Sequence, residues 1–182
     1  MPRLTPIDPA TATGEAKELL DGIQAAFGST PNSFRAMANN PDVLKGWVGL
    51  SGALRATLPR DLGEQIAIAI AEQNGCAYCL SAHTAVGGLL RIDAEELERN
   101  RSGESGDAWT AAVLRFALAV NEKRGGVSDD DLADIRAAGY DDAGIAAIVA
   151  HVALNVLTNY MNRVAQPVID FPEVRPRVAE TV

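Results

Sequence analysis

Three side chains able to do chemistry stand close together: Cys76, Cys79 and His83. Spacings of three and then four residues put them on one face of a helix, about one and two turns along. Asn74-Gly75, just before, is a strong helix break, so the cysteines fall in the first turn of the helix that follows. Unpaired N–H groups and the helix dipole stabilise a thiolate there. A thiol so placed drops well below its free pKa of about 8.5. The spacing also lets the two sulfurs form and break a disulfide without large movement. Three chemistries compete. A redox dithiol needs an acidic thiol, a resolving thiol and an acid–base group, and all three are present. Structural zinc takes four ligands, and this segment supplies three. Buried, inert cysteines beside a satisfied histidine are the third reading, which a helix-start CxxC with a histidine on its face disfavours. A thioredoxin-like domain would need a βαβ pattern, and the chain has none.

Glu64 is the carboxylate most suited to join them. Its helix-face neighbours are Ala67, Ile68 and Ala71. A carboxylate on such a stripe is costly to bury without a partner. If the chain reverses at Asn74-Gly75, Glu64 and His83 come level to within roughly one turn across an antiparallel pair. A carboxylate–imidazole–thiol chain results, the arrangement of base-activated nucleophiles. The alternative role for Glu64 is a capping box with Asp61. Pro59 argues against it, because proline prefers the first helical position and would put Glu64 inside the helix. Glu72 lies near the turn and is expected to face solvent.

The elements that must hold these residues all read as helices. Leu19, Leu20, Ile23 and Phe27 stripe residues 14–27, with Gly28 as the stop. A short segment runs from Pro31 to Asn39-Asn40. Asn40 caps a helix with Pro41 at its first position, ending near Thr57. Pro59 opens the next, to Asn74-Gly75, and another spans 76–90. Asp93 and Glu96 form a capping-box pattern over 93–100. Ser105 is the expected cap of a helix that Gly125-Gly126 closes. Ser128, followed by three aspartates, starts another. Asp141 and Asp142 open the longest, to about Ala165. The segments 1–13 and 167–182 are expected to be extended. No stretch alternates as a strand does, so the fold class is all-α. Trp47 and Trp109 read as packing anchors. His151, Asn155 and Asn159 make an i, i+4, i+8 polar stripe, read as hydrogen-bonded to neighbouring helices rather than as a pocket or interface lining.

The chain has 182 residues, the size of one domain. A net charge of −8 repels phosphate backbones and anionic lipid, so nucleic-acid and membrane roles are not expected. No apolar run approaches the ~20 residues that span a bilayer. The N-terminus lacks a secretory leader pattern. A cytoplasmic location is expected, and there a permanent structural disulfide would be unexpected. No phosphate loop, dinucleotide fingerprint or Ser–His–Asp motif is present, and a dithiol can carry electrons without a cofactor. The segment Ile145–Leu157 is apolar nearly all round and must be covered on every side, which predicts a homo-oligomer.

Glu64, eleven residues, Cys76-Ala77-Tyr78-Cys79, three residues and His83 together resemble the motif of the AhpD-like, peroxidase-related branch of the carboxymuconolactone decarboxylase superfamily. The resemblance implies an AhpD-like helical bundle and alkylhydroperoxidase chemistry. It makes Cys79 the peroxide-reactive cysteine, Cys76 the resolving one, and Glu64 and His83 members of a proton relay. It also implies a hydroperoxide substrate, a thiol or dithiol reductant, and a trimer or hexamer; no cofactor or metal is expected. Some members carry a further histidine between the cysteines, where this chain has Tyr78. A redox sensor or disulfide-relay partner, a zinc-binding protein and a decarboxylase-like enzyme are the rival readings.

Overall fold

The computed structural model describes residues 1–177, and their regular structure is helical throughout. In chain order the helices are α1 Gly14–Phe27, α2 Asn32–Met37, α3 Pro41–Leu54, α4 Arg60–Gln73, α5 Ala77–Leu89, α6 Ala94–Asn100, α7 Ala108–Glu122, α8 Asp129–Ala137 and α9 Asp142–Ala165.

Local chemistry sets most boundaries. The Asn40 side chain accepts the N–H groups of Asp42 and Val43 at the start of α3. Ser128 and Asp131 close a reciprocal capping box on α8. Asp141 accepts from Gly144 N–H at the start of α9. Other ends differ from expectation. α3 stops at Leu54, short of Thr57, and Pro59 is the residue before the first helical position of α4. Asp93 makes no side-chain cap on α6. Its expected partner Glu96 instead accepts from Ser105 Oγ and Gly106 N–H, at 2.5 and 2.9 Å. With Ser105 so engaged, Asp107 caps α7 through Thr110 N–H.

α4 is the central element, and α5, α6, α7 and α9 all pack on it. Alternating isoleucine and alanine over 66–71 let neighbours approach from every side, and all six residues are buried. Each buried isoleucine contributes about 2 kcal/mol. Leu62, Ile66, Ala69 and Ile70 join Val113, Leu114, Phe116, Ile148 and Val152 in one core cluster. Ile68 and Ala71 turn instead towards Cys76, Cys79 and Leu80, where Ile169, Phe171 and Val174 of the tail also pack. Trp47 anchors a third cluster, its ring 4.6 Å from Phe34. Trp109 is 41% exposed and stacks on Tyr140.

α9 is two-faced. Ala147, Ile148, Val152, Asn155, Asn159 and Asn162 are buried, whereas Val149, Leu157, Tyr160 and Val164 are exposed. This outward stripe makes α9 long and apolar enough to cross a membrane by length and composition, which the absence of an unbroken apolar run did not predict. After Pro167 the chain has no regular structure as far as Arg177; the rest of the expected extended tail, 178–182, lies outside the described residues.

Candidate active site

The chain reverses between α4 and α5, with Gly75 at φ 63°. A left-handed conformation there suits glycine, which has no Cβ to clash. The reversal sets α4 and α5 side by side and brings Glu64 to His83. His83 Nδ1 lies 2.7 Å from Glu64 Oε2, both side chains being partly buried. The expected carboxylate–imidazole pair is present. His83 stands one turn beyond Cys79 on α5.

Cys76 is the N-cap of α5, and its sulfur accepts the Cys79 N–H at 3.3 Å. Cys76 and Cys79 are joined by a disulfide, with Cα atoms 5.4 Å apart. Both cysteines are almost fully buried. Cys79 has a further neighbour that sequence reasoning missed. Asn162 of α9 donates its Nδ2 hydrogen to Cys79 Sγ at 3.2 Å. The Asn162 Oδ1 accepts from Ser33 Oγ of α2 at 2.7 Å, which fixes the amide's orientation towards the sulfur. Asn162 sits three residues beyond Asn159, so the 151–155–159 stripe carried one step further along the helix face would have found it.

Tyr78, between the two cysteines, points away from them. Its hydroxyl donates to Asp170 Oδ1 and accepts the Ser33 N–H. Burial, reinforced by the Asp170 hydrogen bond, pushes the phenol well above its usual range, so it stays protonated and acts as a donor. Phe171 packs edge-on against its ring, with centroids 5.8 Å apart.

Glu72 departs from expectation. It is buried rather than solvent-facing, and its carboxylate accepts from Arg101 Nε and the Arg177 N–H at 2.7 and 2.6 Å. The approach of the tail and of Arg101 beyond α6 covers the turn. The polar stripe of α9 is hydrogen-bonded, but Asn155 bonds back within α9 rather than to a neighbouring helix. Asn155 Nδ2 donates to the His151 carbonyl, and Asn159 Oδ1 accepts from Asn74 Nδ2. His151 Nε2 lies 3.2 Å from Thr57 Oγ1. Among the described residues, no three His, Cys, Asp or Glu side chains are disposed to hold a metal ion.

A cavity of about 840 Å3 opens beside the disulfide. Arg3, Cys76, Tyr78, Tyr160 and Asn162 are among its lining residues. Of the two sulfur-bearing residues, only Cys76 is part of this wall.

Comparison with known proteins matches residues 41–122, from α3 through α7, to the carboxymuconolactone decarboxylase family. The match spans a little under half of the chain and includes the CxxC segment, Glu64 and His83. The whole fold also superposes on solved structures. One is the alkylhydroperoxidase AhpD core of a peroxidase-related protein from Ralstonia eutropha JMP134, with 24% identity, TM-score 0.81, and 91% of this chain and 92% of that one covered. A second is a peroxidase-related protein from Silicibacter sp. TM1040, with 22% identity, TM-score 0.76, and coverage of 94% and 93%. A third is the debrominase Bmp8, with 21% identity, TM-score 0.78, and 92% of each chain covered. At these identities the likeness establishes the fold. No curated protein sequence matches the chain.

Proposed function

We propose that this AhpD-like protein reduces hydroperoxides through a Cys76/Cys79 dithiol–disulfide cycle. The observation that carries the reading is the 2.7 Å Glu64–His83 contact one helical turn from Cys79. Glu64 accepts the hydrogen on Nδ1, which leaves Nε2 to take the Cys79 thiol proton. The Cys79 thiolate attacks the terminal peroxide oxygen. The O–O bond breaks, the alkoxide leaves with the proton held on His83, and Cys79 becomes a sulfenic acid. The Cys76 thiol then attacks the Cys79 sulfur. An S–S bond forms and water leaves.

Regeneration requires a thiol or dithiol reductant. Its thiolate attacks Cys76, the cysteine that lines the cavity, and Cys79 departs as a thiolate. The Asn162 amide is placed to donate to that developing charge. A second reductant thiol resolves the mixed disulfide and frees Cys76. A reducing cytoplasm suits this step. A homo-oligomer, trimer or hexamer, covers the outward stripe of α9.

Sulfenic-acid trapping with dimedone tests the cycle. Under hydroperoxide, Cys76→Ser should consume one equivalent and stall as a trapped sulfenic acid at Cys79. Cys79→Ser should fail to react. The opposite pattern reverses the two roles. A redox sensor would oxidise once without sustained turnover when reductant is supplied. Bmp8 is a debrominase whose cysteine-to-alanine variant was solved with 2,3,4-tribromopyrrole, so that compound is the control substrate. Its turnover in place of hydroperoxide would replace the proposal.

A further inference from the structure

The two thiols of a reduced CxxC pair compete for one negative charge, because like charges so close disfavour each other. Burial does not separate them here. Cys76 is 1% and Cys79 2% exposed, in one apolar cluster with Ile68, Ala71 and Leu80. Apolar surroundings raise a thiol's pKa, so hydrogen-bond donors decide which sulfur ionises. We propose that Asn162 is a catalytic residue that places this charge on Cys79, and that Ser33 is the positioning residue that aims its amide. The proposal rests on reading Cys76 and Cys79 as a working dithiol, and adds what divides the labour between them.

Local helix structure favours the other cysteine. Cys76 is the N-cap of α5, and its sulfur accepts the Cys79 N–H at 3.3 Å. A helix start stabilises its first sulfur in this way from backbone alone. The Cys79 N–H is already engaged by Cys76, so Cys79 needs a donor from outside α5. α9 brings one: Asn162 Nδ2 donates to Cys79 Sγ at 3.2 Å. On a thiolate this bond becomes charge-assisted, about twice as strong as a neutral one.

An asparagine side chain can present either end to a neighbour, so its direction has to be fixed. Ser33 Oγ donates to Asn162 Oδ1 at 2.7 Å, which turns the NH2 group towards the sulfur. The reverse orientation would set a carbonyl oxygen against a thiolate, two acceptors with no hydrogen between them. Ser33 is held in its turn, because the Tyr78 hydroxyl accepts its N–H at 3.0 Å. Ser33 and Asn162 are both 3% exposed, so bulk water does not replace either partner. One serine of α2 therefore takes the phenol between the cysteines by its backbone and the amide on Cys79 by its hydroxyl. The titratable and charged groups around the pair are His83 one turn on in α5, Glu64 against it from α4, Glu72 with Arg101 at the turn, Tyr78 with Asp170 of the tail, and Arg3 and Arg163 in the cavity wall.

Ultraviolet thiolate absorbance against pH, in the reduced full-length protein, tests the proposal. Cys76→Ser leaves Cys79 alone to titrate, and Cys79→Ser leaves Cys76; both keep every surrounding charge in place. Cys79 should titrate at the lower pH of the two, and the reverse order overturns the proposal. Asn162→Leu should raise the Cys79 midpoint by about one pH unit or more, the scale of a hydrogen bond to a charged group, and leave the Cys76 midpoint in place. Ser33→Ala should move the Cys79 midpoint the same way by less, and it carries the test alone if Asn162→Leu does not fold. A Cys79 midpoint that stays in place in the folded variants, or a Cys76 midpoint that moves as far, also overturns the proposal. No peroxide enters the titration. Absence of hydroperoxide turnover would therefore sink the peroxidase cycle without touching this asymmetry, and unmoved midpoints would leave the cycle standing on Glu64 and His83 alone.

Discussion

The phenol of Tyr78 donates to Asp170 across 2.6 Å while accepting the backbone N–H of Ser33 at 3.0 Å. One side chain between the two cysteines thereby ties α5 to α2 and to the tail. Asp170 also accepts the Asn32 N–H, and Ser81 Oγ accepts the Val174 N–H, so the tail is held at several points along α5. Position 78 serves as an anchor rather than as a proton carrier. Tyr78→Phe should cost about 1.5–3 kcal/mol, the worth of a hydrogen bond to a charged group. Urea unfolding reads this loss. The rate of Cys79 oxidation in the folded variant should stay unchanged, and a large fall in that rate would return Tyr78 to the relay.

Glu64 and Glu72 separate chemistry from stability. Glu64→Gln should slow peroxide reduction by about ten-fold or more, the scale of lost acid–base assistance. Glu72→Gln should leave the chemistry alone but destabilise the fold by about 3 kcal/mol, because a buried ion pair with Arg101 loses its charge. Stopped-flow rates and urea midpoints on the two variants give both quantities. Equal, small effects on rate would reduce Glu64 to a packing residue.

Stability should fall in mild acid through His151. Burial keeps its folded pKa below the unfolded value of about 6.5. Below that pH the unfolded chain binds a proton that the folded one refuses, so unfolding gains as pH drops towards the folded pKa. The loss is complete once the pH lies below both values. His151→Asn should flatten this part of the stability profile. Urea midpoints at a neutral pH and at a mildly acidic one, compared between wild type and variant, measure it; parallel profiles would mean that His151 titrates as freely in the fold as out of it.

The outward face of α9 should be an interface between copies. Val149, Leu157, Tyr160 and Val164 are 41–59% exposed in the single chain and follow near-heptad spacing. Light scattering at micromolar concentration should return a trimer or hexamer. Leu157→Lys, which puts a charge in the middle of the stripe, should shift the mass towards the monomer. A monomeric wild type would leave the stripe uncovered and the expectation wrong.

The core of the site was legible because it is local. The cysteines and His83 lie within two helical turns, and the Asn74-Gly75 break dictates the reversal that delivers Glu64. Fold class and most helix limits followed from caps and breakers for the same reason. What escaped depends on packing between distant segments. Asn162, Ser33 and Asp170 reach the CxxC helix only once α2, α9 and the tail have docked on it. Glu72 was misjudged because proximity to a turn implies exposure only when nothing covers the turn, and here Arg101 and the tail do. Glu96 and Ser105 went astray as caps because a tertiary hydrogen bond between them outcompeted the local ones.

The Asn162 amide also has a thermodynamic consequence. It joins α9 to α2 through Ser33 and to α5 through the Cys79 sulfur. A thiolate is a stronger acceptor than a disulfide sulfur, so the docking of three helices depends on how many electrons that sulfur holds. Amide hydrogens in α2 and in the last turns of α9 should therefore exchange at different rates in the oxidised and reduced protein, and should do so together, as one cooperative unit. The electron count of a single buried atom would thus be written into the breathing of segments more than a hundred residues apart in the chain.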